Sequence, residues 1–572
     1  MKKINYKNYL VGLALPVIFL SGCKKDFLEK PPTDAITDAS FYKTDEQLLA
    51  GTAGLYNKVW FDYNDKASYN IGDFRSGTTF SAYNDRGNVL FNTTAENGEN
   101  NASYRSFYQV VAQSNLTIVN INNNAGEGVS PDRKKMAIAE ARFMRAVAYR
   151  YLVMNWGEVP IITNNLEVIS DTSLVRNTVP SIWRFITREM REVAEDLPTT
   201  AVQPGRLTKW SAEGMLARFY LTRAGVGATS PTARNQVFLD SAKYYAQRVI
   251  TQSGAQLLPN YADLFRWPYD NNKESLFELQ WVFQPGQYGA QNSTPAYLNF
   301  SPDIANGDGW GGDKGATWWM LSQYEGIVAS GDTMLRGRTL DQRLKATYML
   351  PGASYPEITQ AVPATVNPAL KQKLVFPWVT GDVNFASIKK YVVGKAEDVG
   401  GQALQQNYPH DTYMMRLAEM YLIYVEAVLG NNSSTTDATA IDYFNKVHTR
   451  AGLAPFRVTD PVSGAPTPLT FDVIFKERVL EFAMEAMAWY DLVSLHYYDP
   501  QKAYSILNSQ DRGYYNITPD VFPNPTQWTI KKTSWATTER RVNANAGNFR
   551  LPIPSAEITQ APNLTKPAVE YP

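Results

Sequence analysis

The chain has 572 residues, 44% of them hydrophobic and 19% charged, with Lys+Arg and Asp+Glu equal at 55. Balanced charge offers no basic field to draw phosphate backbones, which argues against a nucleic-acid partner. The single cysteine, Cys23, excludes an internal disulfide and a zinc site built from several cysteines.

The chain opens on Met1, Lys2, Lys3 and Lys7, followed by an apolar run from Tyr9 to Leu20 broken only by Gly12 and Pro16. The layout predicts a signal peptide over residues 1–22. The run is roughly a dozen residues long, against about 20 for a membrane-spanning helix, so a permanent transmembrane anchor is the poorer reading. Leu20-Ser21-Gly22-Cys23 has the form of a bacterial lipobox. Small side chains precede the cleaved bond, and the Cys23 thiol is the group that takes up acyl chains. Residues 23–37, with Pro31-Pro32, read as a lipidated, extended tether.

No later segment approaches eighteen consecutive apolar residues, and no Pro/Gly/Ser-rich linker divides the rest. Residues 38–572 are therefore read as one domain held at a membrane by lipid on Cys23. Apolar residues three and four apart predict helices over Glu46–Trp60, Tyr104–Asn122, Arg142–Met154, Ser181–Glu195, Ser211–Arg223, Phe238–Thr251 and Asp437–Arg450. Two further stripes are Met414, Leu417, Tyr421, Tyr424, Val428, and Phe475, Val479, Phe482, Ala486, Trp489, Val493. Adjacent amphipathic helices joined by short turns point to tetratricopeptide-like pairs.

Between about residues 253 and 412 the character changes to Gly, Pro, Asn and aromatics, with strand-like runs at Ser275–Phe283 and Ile388–Val393. The fold class expected is mostly α, helix pairs with an embedded, loop-rich lobe containing short strands. Loops on a rigid frame are where binding groups sit, which places the site in that lobe and in the similar stretch from Phe61 to Asn101.

An ordered set of short motifs carries a resemblance. It begins with Asp26-Phe27-Leu28 and Pro31, then Phe41-Tyr42-Lys43-Thr44, then Ala141-Arg142-Phe143-Met144-Arg145-Ala146 running on to Trp156-Gly157-Glu158-Val159-Pro160. Leu207-Thr208-Lys209-Trp210, Arg416-Leu417-Ala418-Glu419, Arg450-Ala451-Gly452-Leu453, Glu477-Arg478 through Asp491, and Leu551-Pro552-Ile553-Pro554 follow. In this order they resemble the SusD/RagB lipoproteins of the Bacteroidetes outer membrane. The resemblance implies a surface protein that captures glycan and passes it to a SusC-like TonB-dependent transporter, without enzymatic activity and without a cofactor. The chain departs from that family at Ala488 and Ser494, where basic residues are common, and in its closing segment Lys566–Tyr571.

Glu477, Glu481 and Glu485 lie four apart. Carboxylates along one helix point the same way, whereas glycoside hydrolysis needs two that face each other across a sugar; structural ion pairing is the expected role. The three histidines, His410, His448 and His496, have no paired spacing, and no nucleophile elbow or phosphate loop is present. Asn306, Asp308 and Asp313 among glycines fail the EF-hand spacing and are read as turn residues, so no metal is expected.

Sugar rings stack their C–H faces on aromatic rings and need polar partners at the rim. Trp310, in Gly307-Asp308-Gly309-Trp310-Gly311-Gly312, has little around it to bury an indole. Trp318 and Trp319 begin a short helix whose apolar face is Met320, Leu321 and Tyr324, which turns Trp319 toward solvent. Tyr288 between glycines, and Phe80 and Tyr83 beside Asp85 and Arg86, complete the expected ligand-binding set. A surface glycoside hydrolase and a peptide or glycopeptide binder are the alternatives.

Overall fold

The computed structural model describes residues 41–82, 86–168, 173–305, 308–361, 371–378, 384–533 and 541–572. The expected signal peptide, Cys23 and tether lie outside them, as do Tyr83, Asp85 and Asn306. Helix α1 (Asp45–Ala53) starts on Thr44, whose hydroxyl accepts the Gln47 N–H while the Gln47 side-chain oxygen accepts the Thr44 N–H. Comparable caps set the other long helices. Asn97 opens α2 (Gly98–Asn124), Ser130 with Pro131 opens α3 (Pro131–Trp156), and Thr178 with Pro180 opens α4 (Val179–Asp196). Thr208 opens α5 (Lys209–Arg223) and Asn235 opens α6 (Gln236–Gln252).

After the lobe come α7 (Leu417–Leu429), α8 (Ala438–Arg450), α9 (Phe471–Phe482), α10 (Met487–His496) and α11 (Pro500–Ser509). Successive helices pack on one another from α2 through α8, and α7 also packs on α9. Their apolar faces merge into one large core. Among the described residues no helix is long and apolar enough to cross a membrane.

Helices α6 and α7 are neighbours although about 160 residues separate them in the chain. Everything between them is the embedded lobe. Its neck is the antiparallel pair Ser275–Leu279 with Thr412–Arg416. One small sheet runs Thr79–Ser81, Lys314–Ala316, Ser387–Ile388, Tyr348–Met349. A second joins Tyr515–Pro519 and Trp528–Lys532 to Met334–Gly337 and Ile327–Ala329. The lobe is thus assembled from three stretches of chain, not from residues 253–412 alone.

Several expected boundaries shift. Met414 lies in the neck strand, and α7 begins only at Leu417, because the β pairing claims residues 412–416 first. The Ile388–Val393 run pairs only at Ser387–Ile388 and then turns. The first helix stops at Ala53 and continues as two 3₁₀ turns, Gly54–Tyr56 and Lys58–Trp60.

The largest departure is between α9 and α10, where one continuous helix was expected and the chain breaks at Ala483–Ala486. Met484 and Ala486 adopt left-handed φ of 63° and 61°. Asp73 holds them there, its carboxylate accepting the N–H of Met484 at 2.9 Å and of Ala486 at 3.1 Å. Gly72 is needed alongside, since a Cβ there would lie 2.5 Å from the Ala486 side chain.

Beneath this break sits a buried ionic network. Arg416 donates to Glu274 at 2.9 Å, to Glu481 at 2.5 Å and to Glu485 at 2.8 Å, and Arg450 binds Glu274 and Glu481. Burial pushes the Glu481 carboxyl up, but Arg450, Arg416 and Arg343 outweigh it and hold it at about 2. Glu477 pairs with Arg343 at 2.7 Å and with His448 at 2.8 Å. The three glutamates are thus structural, as their spacing suggested. The closing segment docks through Glu570, which accepts from Thr178, Ser181 and Arg184.

Candidate glycan-binding surface

The stretch from Phe61 to Asp73 contains two π-helical turns, Tyr63–Ala67 and Tyr69–Asp73, a geometry often found at functional sites. It presents Phe61, Asp65 and Lys66 to the lobe. The short helix Thr294–Leu298 is bolted onto it: Ser293 donates to Asp65 at 2.5 Å, Thr294 to the Asn64 carbonyl at 2.9 Å, and Asn64 to the Asn292 side chain at 2.8 Å. This fixes Tyr297.

The Trp310 loop is pinned over the same helix. Trp310 N–H donates to the Ala296 carbonyl at 3.0 Å and Gly311 N–H to the Asn299 carbonyl at 2.7 Å, while Lys314 Nζ donates to the Trp310 carbonyl at 3.0 Å. The indole rests against Tyr297 with centroids 5.0 Å apart and stays 43% exposed. Tyr288 stands edge-on over the buried Phe61 ring at 4.7 Å and is 67% exposed. Lys66 Nζ lies 5.2 Å from the Tyr297 ring centre.

Burial raises the Tyr297 hydroxyl first, then Asp65, Tyr288, Glu99 and Asp308, so its oxygen sits in the field of both neighbouring loops. Burial likewise lifts Asp65 to about 6, against the opposing pull of Ser293 and Lys66. Beside Tyr288 runs a groove of about 290 Å3 whose walls include the amides of Gln287, Gln291, Gln405, Gln406 and Asn407. At Tyr288 a ring for a sugar's C–H face and amides for its hydroxyls therefore adjoin. A larger groove, about 400 Å3, passes Trp210 and Lys273, but Trp210 is half-buried and is the one indole on its wall.

Of the residues singled out from sequence, Trp310 and Tyr288 lie on this surface. Phe80 does not offer a ring face: it is 1% exposed, boxed by Phe385, Tyr514 and Tyr515 in the sheet core. Trp318 is also buried, with Tyr515 at 6.3 Å and Lys532 Nζ at 4.6 Å from its ring. Trp319 is half-buried against the core, its N–H bonded to the Asp511 carbonyl. Arg86 starts the short helix Arg86–Leu90 and is half-buried. Tyr297, Asp65, Lys66 and the amides at 405–407 were not foreseen. Tyr297 reads as core between Ala296 and Leu298, and only the Gln405-Gln406-Asn407 run carried a visible polar signal.

Asp313 is paired with Lys314 at 2.8 Å and accepts from Ser81 at 2.7 Å, so it is committed away from Asp308. Among the described residues the oxygens that do converge belong to Asp270, Glu278 and Asp411, all within 4.8 Å of one another. Burial and the nearby Asp270 lift Glu278 to about 7, although the Asn271 N–H opposes them; burial, then Glu278 and Asp270, lift Asp411. His410 Nδ1 is 2.6 Å from Asp270. An all-oxygen cluster of this kind suits a hard divalent cation, and spacing along the chain did not reveal it.

A family model described as the SusD family matches residues 273–571, and one described as starch-binding associating with outer membrane matches residues 26–221. A SusD-like protein of Bacteroides ovatus is 32% identical over 100% of this chain and 99% of its own length. A crystal structure determined with xylogluco-oligosaccharide is 31% identical, covers 92% of this chain and 99% of the other, and superposes with a TM-score of 0.77. A laminarin-binding SusD-like protein, 21% identical over 92% of this chain and 99% of its own, shares the fold at a TM-score of 0.62.

Proposed function

The chain belongs to the SusD family, and on that premise we propose that it is a lipid-anchored, cell-surface protein of the outer membrane that binds oligosaccharide without cleaving it. The observation that carries the reading is the set of rings Tyr288, Tyr297 and Trp310 seated on the Phe61–Asp73 stretch and the helix bolted to it, with Trp310 and Tyr288 open to solvent and Tyr288 lining an amide-walled groove. Rings held from behind and exposed in front lose little freedom when a sugar stacks on them. Cys23 is the anchor and residues 24–37 the tether, and a SusC-like TonB-dependent transporter receives the cargo. Affinity for a single chain is on the order of micromolar to millimolar, about −8 to −4 kcal/mol.

Catalysis by the glutamate row is disfavoured because Glu477 and Glu481 are buried in ion pairs and Glu485 is bound by Arg416 and Lys390. The relative solved with xylogluco-oligosaccharide makes that ligand the first to try. Affinity electrophoresis through gels containing xyloglucan, laminarin or starch, with parallel assays for new reducing ends, tests the reading. Retardation without cleavage is expected; release of reducing ends, or no retardation by any glycan, would refute it.

A further inference from the structure

Where α5, α7, α9 and α10 meet there is a cavity of about 20 Å3, room for one small particle. Arg150 reaches it from α3 and is 1% exposed. Its Nε and Nη1 are buried without a hydrogen-bond partner, and among the described residues its guanidinium makes no ion pair. Its close companions are rings, Tyr151 at 5.1 Å and Tyr490 at 4.8 Å. Across the cavity, Arg478 Nη1 is also buried and unbonded.

The surrounding charges do not cancel. Glu419 binds Arg218 through both oxygens, Asp491 binds Arg478 at 2.7 Å, and Glu426 faces Arg234 at 3.2 Å. Glu419 also lies 3.8 Å from Arg478 and attracts Arg150 from farther off. Yet Arg150, Arg218, Arg234 and Arg478 are four cations facing the three carboxylates of Glu419, Glu426 and Asp491, so one positive charge is left over. Arg150 is the guanidinium without an ion pair among the described residues. Burial and then repulsion from Arg218 pull its pKa down, outweighing the attraction of Tyr151, Tyr490 and Glu419. A guanidinium keeps its proton at neutral pH, so the strain is not relieved by neutralisation. Water in the cavity would satisfy donors but not charge, and a buried charge without a counter-charge is costly.

We propose that this cavity is a site for one small monovalent anion of halide size, such as chloride, held by Arg150 and by Arg478 Nη1. The volume excludes phosphate, sulfate and a ligand carboxylate on an attached chain. The ion joins α3 to α9 in a cavity that α10 also lines, and shares no residue with the aromatic surface.

Two measurements test it. In thermal unfolding at constant ionic strength, with gluconate replacing chloride, Tm is expected to rise saturably with chloride by about 1–3 °C, and Arg150→Met is expected to lose that dependence. Should the variant fail to fold, crystals of the unsubstituted protein soaked in bromide decide the matter. An anomalous peak between Arg150 and Arg478 sustains the site; bromide-soaked crystals with water alone in the cavity overturn it.

Discussion

Trp310 leans on Tyr297 at 50° with ring centroids 5.0 Å apart and stays 43% exposed, so packing takes part of the indole and leaves the rest to solvent. The Tyr297 helix is in turn tied to Asp65 and Asn64. The exposed ring is therefore held on a fixed base, which limits the entropy lost when a ligand stacks on it.

Replacing Trp310 by Ala removes the stacking face without touching the scaffold. Isothermal titration with xylogluco-oligosaccharide should show about tenfold weaker binding, equivalent to roughly 1.4 kcal/mol, with Tm within a degree or two of the parent. Equal affinity in Trp310→Ala and Tyr288→Ala would mean that cargo binds elsewhere.

Phe80 behaves oppositely. Its ring fills the space between Phe385, Tyr514 and Tyr515, so Phe80→Ala is expected to cost about 3–5 kcal/mol of stability. Chemical denaturation reads this directly. Affinity, measured at a temperature where the variant is folded, should be close to that of the parent.

These two aromatics show what was legible in the chain and what was not. Caps such as Thr44, Ser130 and Thr208 and the apolar stripes located the long helices, because those signals are local. Phe80 and Trp310 both lie among glycines and polar residues, and only tertiary pairing buries one of them. The break at Ala483–Ala486 was hidden for the same reason: the periodicity through Phe475–Val493 is helical, and the carboxylate that overrides it is Asp73, more than 400 residues away. The carboxylate cluster of Asp270, Glu278 and Asp411 likewise forms only when the neck strands pair.

That cluster gives a pH signature. Burial raises Glu278 to about 7 from an ordinary value of 4.5, so its uncharged form favours folding below pH 4.5, and the benefit is lost as pH rises through 7. Glu278→Gln should therefore raise Tm above pH 7 and leave it unchanged near pH 4.5, when scanned in a chelator that removes divalent cations. A variant less stable than the parent at pH 8 would contradict this sign.

Arg416 sits fully buried among Glu274, Glu481 and Glu485. Arg416→Met strips the shared counter-charge from three carboxylates and should cost about 3–5 kcal/mol, read as a fall in the denaturation midpoint. The loss should ease as pH is lowered toward 4, because the freed carboxylates then protonate. Removing one acid as well, in Arg416→Met/Glu485→Gln, should recover part of the stability, since Glu485 keeps only Lys390 once Arg416 is gone and it is the under-compensated charge that destabilises rather than the missing bond.

Gly311 links backbone geometry to binding. A Cβ at this position would lie 2.2 Å from the Leu298 carbonyl oxygen and 2.8 Å from that of Asn299, the carbonyl that accepts the Gly311 N–H. Neither contact can yield without lifting the loop off the Thr294–Leu298 helix, and Trp310 would move with it. Gly311→Ala keeps every aromatic ring yet should weaken oligosaccharide binding several-fold, approaching the loss in Trp310→Ala. In the double variant the two effects should fall well short of adding, because both act on the same indole. Additive losses would instead mean that Gly311 affects binding through some contact other than the placement of Trp310.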